Sequence, residues 1–272
     1  MTLPNVAIII SNYNYGDFVL DAVDSAINQD YEGELRVYVV DDGSSDGSYD
    51  KLLNYAGEDV SSITDSHQVN EPYYSGEMKL FQSNNLNLWC YHINNSGAST
   101  ARNVAIWEAW EWADVFGILD ADDTYAINKA STHVAKLIEH EDIGVVYSDY
   151  VIHKTYNGNN YNKYEYKYPY SKKQLMSNCI VHSAGFIKKH FLESIMLDNK
   201  EFYDSKLHGP ASRGFIGCTE DYDLWIRLSD ICMMTHIPEP LSFVRETGNN
   251  QSMKMTAEIF EQNVRTISQR NV

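Results

Sequence analysis

Apolar and polar positions alternate along the first half of the chain in a regular way. Val6-Ala7-Ile8-Ile9-Ile10 is an unbroken apolar run rich in β-branched residues, the pattern of a strand buried on both faces of a parallel sheet. After the turn-like Ser11-Asn12-Tyr13-Asn14-Tyr15-Gly16, residues Phe18, Val19, Ala22, Val23, Ala26 and Ile27 recur at helical spacing. Residues 35–40 repeat the strand pattern and end in Asp41-Asp42-Gly43-Ser44, and Tyr49, Leu52, Leu53 and Ala56 mark a short helix. A third strand over 88–93, a helix face at Ala101, Val104, Ala105, Ala109 and Trp112, a strand over 115–119 and a helix through 134–138 continue the series. Strands and helices alternating, with abrupt polar strand ends, predict an α/β fold with a doubly wound sheet. Residues 57–88 break the rhythm. They are polar and irregular, which predicts a long surface excursion with room for a short hairpin.

From Gly144 the texture changes, with eight tyrosines between Tyr147 and Tyr170. Tyr156-Asn157-Gly158-Asn159 predicts a hairpin turn. Tyr164, Tyr166, Tyr168 and Tyr170 alternate as on one strand face, either as cross-strand packing or as a stacking surface for a sugar. Residues 221–229 read as a helix, and Pro238-Glu239-Pro240 predicts a break before a strand over 241–245. A last amphipathic helix over 257–269 presents Phe260, Val264 and Ile267.

Composition narrows the classes. The chain has 272 residues, 43% of them hydrophobic, and a net charge of −17, as expected of a globular protein. That charge argues against a nucleic-acid surface and an anionic-membrane patch. A diphosphate would then need a metal or a local donor site. Cys90, Cys179, Cys218 and Cys232 show no CxxC spacing and read as free thiols in a reducing compartment. No segment has the length or apolarity of a leader or a membrane span. The expectation is a cytoplasmic protein, with peripheral attachment at the inner membrane face as a variant.

The chemistry concentrates in Asp120-Ala121-Asp122-Asp123, directly after the strand at 115–119. Unpaired buried charge is costly, so these carboxylates are expected to face solvent or a hard cation such as Mg²⁺ or Mn²⁺. Residues 11–14, Asp41-Asp42 and residues 120–123 all sit at strand ends, where open α/β sheets bind ligands. No GxGxxG follows the first strand and no P-loop occurs, so a nucleotide diphosphate would lean on the metal. Arg102 has two readings, contact with the nucleotide or pairing with a strand-end aspartate. Glu220-Asp221 also has two, capping of a helix start by acidic residues and a general base that deprotonates a hydroxyl.

Asn12-Tyr13-Asn14, Val40-Asp41-Asp42-Gly43-Ser44-Ser45-Asp46-Gly47-Ser48, Asn95-Ser96-Gly97-Ala98-Ser99-Thr100-Ala101-Arg102-Asn103, Leu119-Asp120-Ala121-Asp122-Asp123 and Glu220-Asp221-Tyr222-Asp223-Leu224-Trp225 occur in an order that resembles family 2 glycosyltransferases. The resemblance implies a GT-A fold, a Rossmann-like mixed sheet in one domain over residues 1–252. Residues 1–123 would form the nucleotide-sugar half, 124–252 the acceptor half, and 253–272 a helix packed on the domain. It also implies inverting transfer of a monosaccharide from a nucleotide-diphosphate sugar, UDP-sugar favoured, to a hydroxyl of a glycan, lipid-linked or protein acceptor. Carried over by motif, Ser11 and Tyr13 stand beside the donor base. Asp41 hydrogen-bonds the base, and Asp42 supports that loop. Arg102, Asp120 and Asp123 lie on the donor side, and Asp122 holds Mn²⁺ or Mg²⁺. Asp221 is the base, with Glu220 beside it on the acceptor side, and Trp225 belongs to the core.

The chain departs from the pattern where relatives carry a metal-shell histidine, because Thr247 occupies that position. His182, Tyr203 and His208 fall in the region expected to choose the acceptor. Two rivals are weighed. A nucleotidyltransferase would carry a basic glycine-rich loop, and residues 11–16 contain neither Lys nor Arg. A catalytically silent sugar-binding protein on the same fold is the alternative to an enzyme.

Overall fold

The structure is a computed structural model that describes residues 2–57, 60–83, 86–156, 159–207, 219–247 and 256–270. The apolar run at the start becomes β1 (Val6–Asn12), which lies between β2 (Leu35–Asp41) and β6 (Val115–Asp120), parallel to both. β5 (Leu88–Ile93) continues the parallel order beyond β2. Helix α1 (Val19–Ile27) connects β1 to β2, α2 (Ser48–Ala56) follows β2, and α3 (Ala98–Ala109) leads from β5 to β6. Every residue from Val6 to Ile10 is fully buried. Ala7 and Ile9 face one core with α3, and Val6, Ile8 and Ile10 face the other with α1. Alternate side chains of a strand leave on opposite faces, so a continuous apolar run fits a strand covered on both.

Residues 57–88 depart from expectation. They form a long hairpin, β3 (Val60–Glu71) and β4 (Tyr74–Ser83), paired antiparallel to one another and to β5. This extends the sheet by two strands. Pairing satisfies the backbone while most of the described side chains stay polar, and the register slips between Thr64 and His67.

The second half closes the other side of the sheet. β7 (Thr124–Tyr125) and α4 (Lys129–Leu137) precede the long β8 (Ile143–Tyr156), which pairs with β9 (Asn159–Glu165) as the Asn-Gly signal predicted. Asn157 and Gly158 lie outside the described residues. β9 stops at Glu165, so only Tyr164 of the alternating tyrosines is on a strand. Helix α5 (Lys172–Leu175) leads to β10 (Phe186–Lys188), which is wedged antiparallel between β6 and β8, and α6 (Lys189–Ser194) follows. Helix α7 (Glu220–Ser229) precedes β11 (Met233–Glu246), which runs parallel to β8 and pairs with β7. β11 continues through Pro238-Glu239-Pro240, against the expected break. The register shifts on both sides of Pro240, and bulges are where a sheet tolerates the missing N–H of proline. The last helix, α8 (Ala257–Arg270), buries Val264 and Ile267 in the core. The sheet order is β3-β4-β5-β2-β1-β6-β10-β8-β11-β7, with β9 on β8. No helix among the described residues is long and apolar enough to cross a membrane.

Lys129 enters the core beneath this second half. Its side chain is fully buried, and Nζ donates to Ser242 Oγ at 2.9 Å and Ser148 Oγ at 3.4 Å, 4.8 Å from the centroid of the Tyr125 ring. No carboxylate among the described residues pairs with it, and burial lowers its pKa to about 7. An unfolded lysine titrates near pH 10.4. The unfolded chain therefore holds the extra proton between about pH 7 and 10, so stability rises with pH across that window and the cost is full below it. Lys129→Met is expected to stabilise the protein against urea, with a larger gain at about pH 6 than at about pH 9. Equal gains at both would mean that the buried amine does not titrate in this range.

Candidate active site

The parallel register puts the polar strand ends side by side. Asn12 is opposite Asp41, Asp41 is opposite His92, and Ser11 is opposite Asp120. Asp41 is fully buried and accepts from Asn12 Nδ2 at 2.6 Å and Ser44 N at 3.2 Å, with His92 Nδ1 at 2.7 Å. Asp42 accepts from the backbone N–H of Ser96 at 2.7 Å and Gly97 at 2.8 Å, tying the β2 turn to the start of α3. The turn needs Gly43, which has φ +70°, where a Cβ would lie 2.8 Å from the Asn95 backbone nitrogen. Ser11 is partly buried, and the Tyr13 ring is about half exposed beside this edge.

Asp122 and Asp123 are buried, so of the two expected surroundings, solvent or a hard cation, solvent is not theirs. The turn after β1 and the end of β11 supply donors to them. The Tyr15 hydroxyl donates to Asp122, and the Arg245 backbone N–H donates to Asp123 at 3.0 Å. Burial and the neighbouring Asp120 push Asp122 up to about 6. Burial and the negative charges of Asp122 and Asp120 push Asp123 well above the ordinary carboxylate range. Crowded, reluctant carboxylates of this kind suit a hard cation, which would relieve their repulsion. Among the described residues no group of three acidic, histidine or cysteine side chains is placed to cage one. The chemistry of the set fits an ion that completes its shell with phosphate and water.

The second acid cluster begins α7, and α3 carries the link between the two. Arg102 is almost fully buried. It donates through Nη2 to Asp120 Oδ1 at 2.8 Å and through Nη1 to Glu220 Oε1 at 2.7 Å, with Asp221 Oδ1 at 3.7 Å. Burial works against its charge, but Asp221, Asp120 and Glu220 more than offset this and hold its pKa above the ordinary value. Of the two readings of Arg102, pairing with the strand-end aspartate is the one the side chain adopts. Glu220 is buried, whereas Asp221 keeps partial exposure. Asp223 pairs with Arg227 at 2.9 Å, and Trp225 is fully buried in the core, as expected.

Ser11, Asp41 and Asp120 thus share one sheet edge, with Tyr13 and Asp42 in the adjoining turns and Asp122 and Asp123 just past the end of β6. Arg102 joins Asp120 to Glu220 and Asp221. Sequence reasoning missed Asn12, Tyr15, His92 and Ser183, whose Oγ donates to Asp120 Oδ2 at 3.2 Å. Asn12 and Tyr15 lay in a flagged turn, and strand register would have placed Asn12 and His92 beside Asp41. Nothing local marks Ser183. Tyr203 is buried with its ring 5.3 Å from the Arg102 guanidinium carbon, and the His182 ring packs at a tilt against Tyr150. His208, Cys218 and residues 248–252 lie outside the described residues. A hollow lined by Ser131, Lys136, Glu139, His236 and Pro238 holds none of the site residues.

Known proteins resemble this chain in sequence and, over nearly all of its length, in fold. The model of the family Glycosyl transferase family 2 matches residues 7–71. The chain is 52% identical over 60 residues to an N-acetylglucosaminyltransferase of Rhizobium sp. (strain N33), covering 20% of this chain and 13% of the relative. It is 25% identical over 258 residues to an uncharacterized glycosyltransferase of Rickettsia felis, covering 92% and 35% respectively. S. aureus TarS 1-349 in complex with UDP-GlcNAc superposes with a TM-score of 0.65 at 17% identity, over 97% of this chain and 65% of TarS 1-349. The mannosyltransferase PcManGT from Pyrobaculum calidifontis, in complex with GDP-Man and Mn²⁺, gives 0.60 at 14% identity, over 98% and 70%. The fold is that of the GT-A structures, a mixed sheet in a single α/β domain. The match to the family 2 glycosyltransferase model is confined to residues 7–71, and the fold match runs through nearly the whole length. The chain spans little more than a third of the Rickettsia felis protein and about an eighth of the Rhizobium one.

Removing Arg102 would strand Glu220 and Asp120. Arg102→Met is expected to cost about 3–5 kcal/mol in denaturant unfolding, the usual result of orphaning a buried charge. Combining it with Glu220→Gln should recover part of that loss, and strictly additive losses would mean that the two groups are not coupled.

Proposed function

We propose that the protein is an inverting glycosyltransferase. It moves a monosaccharide from a nucleotide-diphosphate sugar, UDP-sugar favoured, to a hydroxyl of a glycan, lipid-linked or protein acceptor. The observation that carries this reading is the Arg102 bridge, which brings the Asp120 strand end and the Glu220–Asp221 helix start within one guanidinium of each other. The match of residues 7–71 to the family 2 glycosyltransferase model and the nucleotide-sugar complexes of TarS and PcManGT support it.

On this reading Asp221, the more exposed of the two α7 acids, takes the proton from the acceptor hydroxyl. The acceptor oxygen bonds to the anomeric carbon as the bond from that carbon to the diphosphate oxygen breaks on the opposite side, so configuration inverts. Glu220 holds Arg102, and Arg102 fixes Asp120 and the start of α7. Residues 1–123 take the donor. Tyr13 and Ser11 flank the base, Asp41 serves it through the Asn12 and His92 groups that it orients, and Asp42 holds the loop. Asp122 would hold Mn²⁺ or Mg²⁺, with Asp123 behind it. When bound, such an ion supplies neutralisation of charge on the leaving diphosphate. Residues 124–252 take the acceptor.

Asp221→Asn is expected to lower kcat about 10²–10⁴-fold, the usual worth of a general base, while the affinity for donor measured by calorimetry stays near wild type. An Asp221→Asn enzyme with full turnover would remove this residue from the chemistry. Asp122→Ala should weaken Mn²⁺-dependent binding of UDP or GDP, and unchanged binding would exclude Asp122 as the ion's ligand.

A further inference from the structure

One cation beside the site has no part in the reaction above. Lys167 follows β9 in an extended segment pinned at two points. Its backbone N–H donates to Asp149 Oδ1 at 2.7 Å, and the Tyr147 hydroxyl donates to the Tyr168 carbonyl at 2.6 Å. Tyr166 and Tyr168 on either side are exposed, whereas Lys167 is partly buried. Its ammonium lies over the Tyr150 ring, 5.5 Å from the centroid. That ring packs at a tilt against His182 with centroids 4.3 Å apart, and the next residue, Ser183, donates to Asp120. In the other direction, the Cys179 thiol feels both Lys167 and the Asp221–Glu220 pair. Tyr150, His182 and Ser183 thus link the ammonium to Asp120 through successive neighbours.

Asp149 and Glu165 act on that charge from beyond ion-pair distance, and each has closer partners. Asp149 accepts from the Tyr164 hydroxyl at 3.2 Å and contacts His236 Nε2 at 2.8 Å, besides the Lys167 backbone N–H. Glu165 pairs with Lys163. Among the described residues Lys167 forms no ion pair, in a chain of net charge −17. Burial holds its pKa below the ordinary lysine value. His182 beside it is kept neutral by burial and by the nearby lysines. Desolvating an ammonium without a carboxylate at ion-pair distance is costly, and an arriving anion would offset that cost. Lysine binds phosphate as a point charge without needing a bidentate fork.

We propose that Lys167 binds an oxyanion at this site, a phosphate-type group carried by the donor diphosphate or by an anionic acceptor. Naming those two sources rests on the function proposed above, whereas the anion site itself does not. Calorimetry would titrate wild type, Lys167→Met and Lys167→Arg with inorganic pyrophosphate and with UDP plus Mn²⁺. Inorganic phosphate would be added to protein saturated with UDP and Mn²⁺. Thermal unfolding checks that each variant folds, and Lys167→Gln replaces Met if that variant does not.

Lys167→Met should lose at least about tenfold in affinity for one anion, the size of a single charge-assisted hydrogen bond, and Lys167→Arg should retain it. Loss of pyrophosphate and UDP binding assigns the donor diphosphate. Loss confined to phosphate on the UDP-saturated protein assigns the acceptor. Wild type and Lys167→Met binding all probes alike, or wild type binding no anion, overturns the inference. A wild type that binds pyrophosphate through Lys167 but neither UDP nor GDP would instead overturn the glycosyltransferase reading and leave the anion site standing.

Discussion

The guanidinium of Arg102 reaches carboxylates 18 and 118 residues further along the chain and holds both at hydrogen-bond distance inside the protein. Burying that cation is unfavourable in isolation. It is tolerated because Asp120, Glu220 and Asp221 surround it, and the burial of Glu220 is tolerated for the reciprocal reason. The end of a central strand and the start of a helix from the other half of the chain are thereby fixed against each other. Every proposed step of sugar transfer needs that fixed relation, because a base and a leaving group must face the same carbon from opposite sides.

Around this link the protein manages an excess of negative charge at short range. Asp41 and Asp42 are neutralised by donors from turns and from the edge of α3. Asp122 receives the Tyr15 hydroxyl and a backbone N–H, and Asp123 the Arg245 N–H, while burial and the neighbouring carboxylates still hold both above the ordinary carboxylate range. The two pairs differ in what they can do. The first is satisfied and holds loops in place, and the second is the pair to which the proposed cation is assigned. Arg245 contributes to the same balance, since its N–H serves Asp123 while its guanidinium reaches Asp21 at 2.7 Å.

The parallel centre of the fold was legible because a strand buried on two faces must be apolar throughout, and residues 6–10, 35–40 and 115–119 are nearly so. The hairpin of β3 and β4 was not legible. Its strands are held by backbone pairing, with only Tyr74, Met78, Phe81 and Ser83 of β4 buried, too sparse a period to read. Pro238 and Pro240 misled for a related reason: bulges in the ladder absorb what a regular strand could not. At the site, the acidic motifs were visible because each is local in sequence. The partner of Arg102 was left open, since no local pattern reports a contact across 118 residues. That Asp122 and Asp123 are shielded from solvent was not legible, because their donors Tyr15 and Arg245 come from a distant turn and strand.

The central claim is that the two acid clusters bound one substrate site. Crystals of the protein soaked with UDP and Mn²⁺ test it most directly. The account predicts ion density at the Asp122 carboxylate and the diphosphate lying between it and Asp221. Nucleotide density on another face of the sheet, with the gap between these two aspartates empty, would contradict it.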